Sequence, residues 1–307
     1  MLEISEGVVR RPQKVVIYGP EGIGKSTIAS KFPAPLFIDT EGGTSHMNVR
    51  RIKAPADWEG LLGTVKEVAL TPDICKTLVI DTADWAEQMA VSHILKKYSQ
   101  PSIEAFGYGK GYTYLGEEFA RLLAALDQVI TAGMNVCVTA HAKMRKFEQP
   151  DEMGAYDRWE MKLSRQAAPL LKEWADLLLF CNYETYVVKD ENNVAKGQGG
   201  RRVMYTSHHP CWDAKNRCGL PDKVDLDFAS IASIFEDVPA EPGLSPLGQV
   251  KALMEKDGVT EEQVRRAVAS KGHYAEDIPL EQYEEKFLTG WLIKYWNKVL
   301  EIIKAQG

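Results

Sequence analysis

Residues 14–27, KVVIYGPEGIGKST, constrain the fold more than any other stretch of the chain. An apolar, β-branched run from Val15 to Tyr18 leads into Gly19-Pro20-Glu21-Gly22-Ile23-Gly24-Lys25-Ser26-Thr27. This is the full G-x-x-x-x-G-K-[ST] pattern in the setting it requires, with a strand before it and a helix after. The glycines let successive backbone N–H groups turn inward around a phosphate chain. Lys25 is expected to reach the β- and γ-phosphates of ATP, and Ser26 to ligate Mg2+. The helix N-terminus adds its dipole to the anion site. A strand that feeds such a loop lies inside a sheet covered on both faces. The expected fold class is therefore α/β, with a mostly parallel central sheet flanked by helices.

The remaining composition fits one large core of this kind and a small appended module. The chain has 307 residues, of which 45% are hydrophobic and 26% charged. No apolar run approaches the length that crosses a bilayer, so no membrane association is expected. The first residues lack the charged-then-apolar order of a secretory signal. Cys137 and Cys181 lie in apolar, strand-like runs and read as small buried hydrophobes, which suits a reduced, cytoplasmic setting. The net charge of −6 argues against constitutive coating of nucleic acid but leaves room for a local basic patch.

Two further strand ends carry candidate chemistry. CKTLVIDTAD, residues 75–84, is a buried strand ending in Asp81, the position from which a phosphate-loop fold holds Mg2+ through water. Thr82 follows Asp81. ATPases of the AAA+ type place their water-activating glutamate directly after this aspartate, so here the base must sit elsewhere. The short strand Pro35–Thr40 is followed at once by Glu41-Gly42-Gly43. A carboxylate at the carboxyl edge of a neighbouring strand can orient and deprotonate the attacking water, or it can merely cap the next segment. A third apolar strand, Met134–Thr139, ends at Ala140-His141 and is expected beside the Asp81 strand. His141 would then face the γ-phosphate and report hydrolysis to the following segment.

GPEGIGKST, FIDTEGG, TLVIDT, VTAH, PSIEAFGYGKGY and DAKNRCGLP together resemble a RecA-like P-loop ATPase of the phage Sak-type single-strand-annealing group, over roughly residues 10–235. That resemblance implies an ATP- and Mg2+-dependent, single-stranded-DNA-binding recombinase or annealing protein. It also implies a homo-oligomer, ring or filament, with ATP at the subunit interfaces, in a phage-encoded protein acting in a bacterial cytoplasm. His141 stands where full-length bacterial recombinases use glutamine.

Two segments are too long for plain connectors. Residues 98–116 interleave Phe106, Tyr108, Tyr112 and Tyr114 with glycines and Lys110, a combination suited to stacking on single-stranded bases, although the same tyrosines can simply pack. Residues 142–165, after His141, carry Lys143, Arg145 and Lys146 among acids, as a DNA-binding loop or a solvated one. The stretch SHHPCWDAKNRCGLP, 207–221, holds His208, His209, Cys211 and Cys218, but zinc sites offer their ligands in two short pairs and only one cluster is present. Lys215 and Arg217 alternate on one side of an extended segment. The resemblance makes them cations that act on a neighbouring subunit's ATP.

The organisation expected is an ATPase core at 1–237, a proline-rich linker at 238–246 and a helical module at 247–307. Within the module Thr260 and Gln263 match a capping box, and a long apolar stripe runs through the third helix as core or as a partner groove. A single-stranded-DNA-binding protein is the candidate partner for this module. Two other readings stay open: a small-molecule kinase, for which no arginine-rich lid is evident, and a non-hydrolysing nucleotide-gated scaffold or motor accessory in which Glu41 is idle.

Overall fold

The computed structural model describes residues 11–148, 154–189, 195–235, 246–293 and 295–306. The chain divides into two compact units, residues 1–236 and 237–307. All but the last residue of the expected linker 238–246 lies outside the described residues.

The larger unit is built on β1 (Lys14–Gly19), β2 (Pro35–Asp39), β3 (Arg51–Ile52), β4 (Thr77–Asp81), β5 (Asn135–Glu148) and β6 (Ala155–Met161). Later in the chain come β7 (Leu177–Lys189), β8 (Ala195–Tyr205), β9 (Lys215–Asn216) and β10 (Lys223–Asp225). The sheet order is β10-β8-β7-β1-β5-β4-β2-β3, with β6 paired to β5 and β9 to β7. From β7 to β3 every pairing is parallel, whereas β6, β8, β9 and β10 pair antiparallel. β5 therefore lies between the glycine-loop strand and the Asp81 strand, and β2, which leads to Glu41, lies on the far side of β4.

The parallel strands read as unbroken apolar runs because helices or loops cover both faces. Successive residues of β1 enter opposite cores: Val16 and Tyr18 join one cluster, Val15 and Ile17 the other. All four are 0% exposed, so burial at this one strand contributes about 1.5–3 kcal/mol per side chain. The first face is covered by α2 (Trp58–Ala69), α3 (Ala83–Lys97), α4 (Lys110–Thr131) and α5 (Ala167–Trp174). α2 starts where the Asp57 carboxylate accepts the Gly60 N–H at 2.9 Å, an N-cap, and α4 buries Leu115, Phe119, Leu122, Leu126 and Val129 at helical spacing. The second face is covered by the short α1 (Lys25–Ala29) with Phe32, Phe228 and Phe235.

Three local expectations change. β5 does not stop at Thr139; it runs through His141 to Glu148 and turns back as β6, so 142–165 is mostly an antiparallel hairpin rather than a loop. α4 begins at Lys110, so part of the segment 98–116 is helix, with Tyr112 and Tyr114 in it. In the smaller unit α6 (Pro246–Asp257) and α7 (Glu261–Ala269) form, the latter with the Thr260–Gln263 capping box. The third helix is broken instead of continuous: a π-helical turn, Leu288–Ile293, precedes the helix Trp296–Gln306. Leu288, Leu292, Trp296, Val299 and Ile303 are buried together with Val250, Val264 and Val268, so the apolar stripe is core.

Candidate nucleotide site

The loop after β1 is shaped by backbone demands that only glycine meets at low cost. Gly22 and Gly24 have φ of 73° and 114°, in the left-handed region. A Cβ on Gly19 would stand 2.3 Å from the Cys181 carbonyl oxygen on β7, closer than any side chain tolerates. Cys181 is an apolar wall here, with its thiol pushed up to about 12 by burial. Lys25 is 6% exposed, and its ammonium donates to the carbonyls of Gly19 and Pro20 at 3.1 and 3.0 Å. Burial lowers its pKa, while the nearby carboxylates of Asp81, Asp84 and Glu41 oppose that shift.

Those carboxylates define the other half of the site. At the end of β2, the Asp39 carboxylate accepts N–H bonds from Glu41, Gly42 and Thr44 at 3.1, 2.6 and 2.9 Å and the Thr44 hydroxyl at 2.5 Å. Burial alone would raise its pKa, but these hydrogen bonds outweigh it and hold Asp39 below the usual carboxylate range. The turn so fixed carries Glu41. The Thr40 hydroxyl donates to the Thr82 carbonyl and accepts the Thr82 N–H, both at 2.8 Å, which ties the ends of β2 and β4 together. Asp81 is 3% exposed and accepts a short hydrogen bond from the Thr139 hydroxyl on β5.

His141, 7% exposed, points its Nε2 at Glu41 Oε2 across 4.0 Å. Burial raises the pKa of Glu41, with Asp81 and Asp84 adding to the rise and His141 and Lys25 opposing it. The other His141 nitrogen, Nδ1, lies 2.8 Å from Asp84 Oδ2, and Asp84 Oδ1 accepts the His141 backbone N–H at 3.0 Å. Asp84 is a residue that sequence reasoning missed. A carboxylate three positions after Asp81 and a histidine after the next strand become partners only when β4 and β5 pair. Burial would raise its pKa, and the His141 hydrogen bonds reverse the sign.

Arg202 on β8 also reaches the loop. Its Nη1 donates to the Ile23 carbonyl at 3.4 Å and lies 3.2 Å from where a Gly24 Cβ would stand. The antiparallel pairing of β8 with β7 carries it to the loop, which no local motif announces.

The remaining candidates lie apart from this cluster. Lys215 sits in β9, opposite Leu178, and its ammonium donates to the Glu173 and Ala175 carbonyls at the end of α5 at 2.9 and 2.5 Å. Arg217 donates to Asp176 at 3.3 Å and keeps 60% of its side chain exposed. Both are held at the amino end of the parallel strands, whereas the glycine loop is at the carboxyl end. His209 stacks on Trp212 with centroids 4.1 Å apart, and His208 faces Asp213 at 3.5 Å.

In residues 98–116 Phe106 and Tyr114 pack with Tyr98, and Tyr112 donates to Glu104 at 2.7 Å. Tyr108 is fully exposed, at φ 49° between Gly107 and Gly109, which are also at positive φ. Lys110 follows, exposed, at the start of α4. On the hairpin, Lys143, Arg145 and Lys146 are exposed; Lys143 donates to the Leu163 carbonyl at 2.9 Å and Arg145 lies 3.8 Å from Glu160.

The donor set fits a magnesium nucleotide. The glycine loop turns its backbone where a Cβ would crowd it, Lys25 is a buried cation at its base, and Ser26 and the buried Asp81 supply the hydroxyl and carboxylate oxygens that Mg2+ prefers.

Residues 11–218 match the AAA domain family AAA_24. No curated protein matches the chain in sequence. Among solved structures, the flagellar accessory protein FlaH from Methanocaldococcus jannaschii aligns with 12% identity and a TM-score of 0.38, covering 68% of this chain and 80% of that one. The KaiC-like protein PH0186 from Pyrococcus horikoshii OT3 aligns with 14% identity and a TM-score of 0.34, covering 64% and 78%.

Proposed function

Because the chain belongs to the AAA domain family, a family of P-loop ATPases, we propose that it is an ATP-dependent, single-stranded-DNA-binding enzyme of recombination or annealing, similar to the phage Sak-type group. The observation that carries the hydrolytic part is Glu41. No acid stands directly after Asp81, yet a carboxylate stands one strand away, facing a buried histidine and within the field of Lys25 and Asp81.

In this reading the loop N–H groups and Lys25 hold the phosphates, and Ser26 and Asp81 hold Mg2+. Bound there, Mg2+ would supply positive charge to neutralise the phosphates. Glu41 takes a proton from the attacking water, and its raised pKa makes it a better base than an ordinary glutamate. His141 sits on β5, whose outer half is the cationic hairpin, so a change at the γ-phosphate passes along one strand to Lys143 and Arg145.

Tyr108 at its glycine-flanked tip, with Lys110, supplies a base-stacking platform, and the hairpin cations supply phosphate contacts. Lys215 and Arg217 act on the ATP of an adjacent subunit of a ring or filament; their distance from the glycine loop of their own chain supports this. The smaller unit is the contact for a single-stranded-DNA-binding protein.

The test is steady-state ATP turnover with Mg2+, with and without a single-stranded oligonucleotide. Turnover that rises with the oligonucleotide supports the reading. Absence of turnover makes the chain a nucleotide-gated scaffold, and turnover indifferent to DNA removes the DNA-coupled part.

A further inference from the structure

The ring of His141 stands between two carboxylates that treat it differently. Asp84 grips it twice, at the backbone N–H and at Nδ1, with distances of 3.0 and 2.8 Å. Glu41 faces Nε2 across 4.0 Å, too far for a direct hydrogen bond. A carboxylate kept ionised only accepts, so the proton of a neutral imidazole is drawn to Nδ1 and Nε2 is left as an acceptor.

Two acceptors 4.0 Å apart cannot bond each other, but one water can donate a hydrogen to each. With two bonds of about 2.8 Å the angle at the water oxygen is roughly 90°, close to what a water molecule offers. Its lone pairs then point away from both groups.

The base of this arrangement is stiff. Asp84 lies in the first turn of α3, and one turn later the buried Glu87 carboxylate accepts the Ser164 N–H with its two oxygens at 3.0 and 3.2 Å. The strand after His141 is closed by a 2.7 Å bond from Lys162 N–H to the His141 carbonyl.

We propose that Asp84 is a positioning residue for ATP hydrolysis: it locks His141 in the Nδ1–H tautomer, so that Nε2 and Glu41 together hold and aim the attacking water. This rests on the ATPase reading above. In the step itself the water oxygen bonds to the γ-phosphorus, one water proton passes to Glu41, and the bond from the γ-phosphorus to the bridging oxygen breaks. ADP leaves with that electron pair, and inorganic phosphate is formed. His141 gains and loses no proton; it supplies an acceptor in a fixed direction. Were the ring free to adopt the Nε2–H tautomer, it would present a donor where the water needs an acceptor, and the water would lose one of its two anchors.

Two measurements test this. The first is the nitrogen NMR spectrum of His141 in the full chain, which reports the tautomer without reference to activity. The protonated nitrogen is expected to be Nδ1 in the wild type, and Asp84→Asn is expected to shift the ring toward Nε2–H. A wild-type ring already in the Nε2–H form overturns the proposal. The second is a double-mutant cycle in kcat and KM. Asp84→Asn is expected to lower kcat at least ~10-fold while moving KM for ATP less than about 3-fold. In a His141→Gln background, where no tautomer exists to be set, the same change is expected to cost less than about 2-fold. An equal loss in both backgrounds shows that Asp84 acts on the fold and not through His141. If the wild type does not turn over ATP, the enzymatic reading fails on its own, and the tautomer measurement still decides whether Asp84 sets the ring.

Discussion

Lys25 and Glu41 are separated in the chain by a helix and a strand, yet each feels the other's charge. Lys25→Ala removes the one mobile cation that the loop offers to phosphate, and turnover should fall to background in a direct phosphate-release assay. The pH dependence follows from the sign at Glu41. Its pKa is raised, and only the ionised form accepts a proton, so kcat should rise with pH through a point above the ordinary carboxylate range. A kcat profile flat down to the ordinary range would remove Glu41 as the base. Asp39 behaves oppositely. Its folded-state pKa is depressed, so it contributes stability above the ordinary carboxylate value, and that contribution is lost as pH falls through its folded pKa. Asp39→Asn should therefore lower Tm at pH 7 by several degrees, about 2 kcal/mol for its lost charge-assisted bonds, and by less once the pH has fallen below its folded-state pKa.

At the scale of elements, the parts of the candidate site that announce themselves in sequence are those that lie on one strand and its own following turn. The glycine loop after β1 is of this kind, and so are Asp81 at the end of β4 and Glu41 just past β2. What stayed hidden depends on pairing between strands: Asp84 meets His141 across β4 and β5, and Arg202 reaches the loop across β7 and β8. The length of β5 was equally hidden, because past His141 its hairpin alternates charged and apolar residues in solvent instead of running apolar. Within residues 98–116, Gly111 is used for close packing; a Cβ there would stand 2.4 Å from the Ile103 carbonyl oxygen. Close packing makes the same demand at Gly19. Gly19→Ala must push β1 from β7 and should cost about 1–3 kcal/mol in chemical denaturation. Loss of the same size from Gly22→Ala, which has open space but positive φ, would point to backbone strain instead.

At the scale of the whole molecule, the ten-stranded sheet of the described residues sets two ends apart: the glycine loop, Glu41 and Asp81 at the carboxyl ends of β1, β2 and β4, and the cations Lys215 and Arg217 at the other. Two inactive variants, Lys215→Ala/Arg217→Ala and Glu41→Gln, should recover part of the turnover when mixed, because some interfaces then combine an intact base with intact cations. No recovery from proven co-assemblies would confine those cations to their own chain, where they hold α5 and Asp176. The measurement that bears most directly on the site as a whole is Glu41→Gln alone, followed for both ATP binding and hydrolysis. The substitution keeps the shape of the side chain and removes only its basicity. Binding of Mg2+-ATP should stay within about 3-fold of wild type, while single-turnover hydrolysis drops by at least ~100-fold. Hydrolysis at the wild-type rate would mean that the water is activated elsewhere, and would contradict the account.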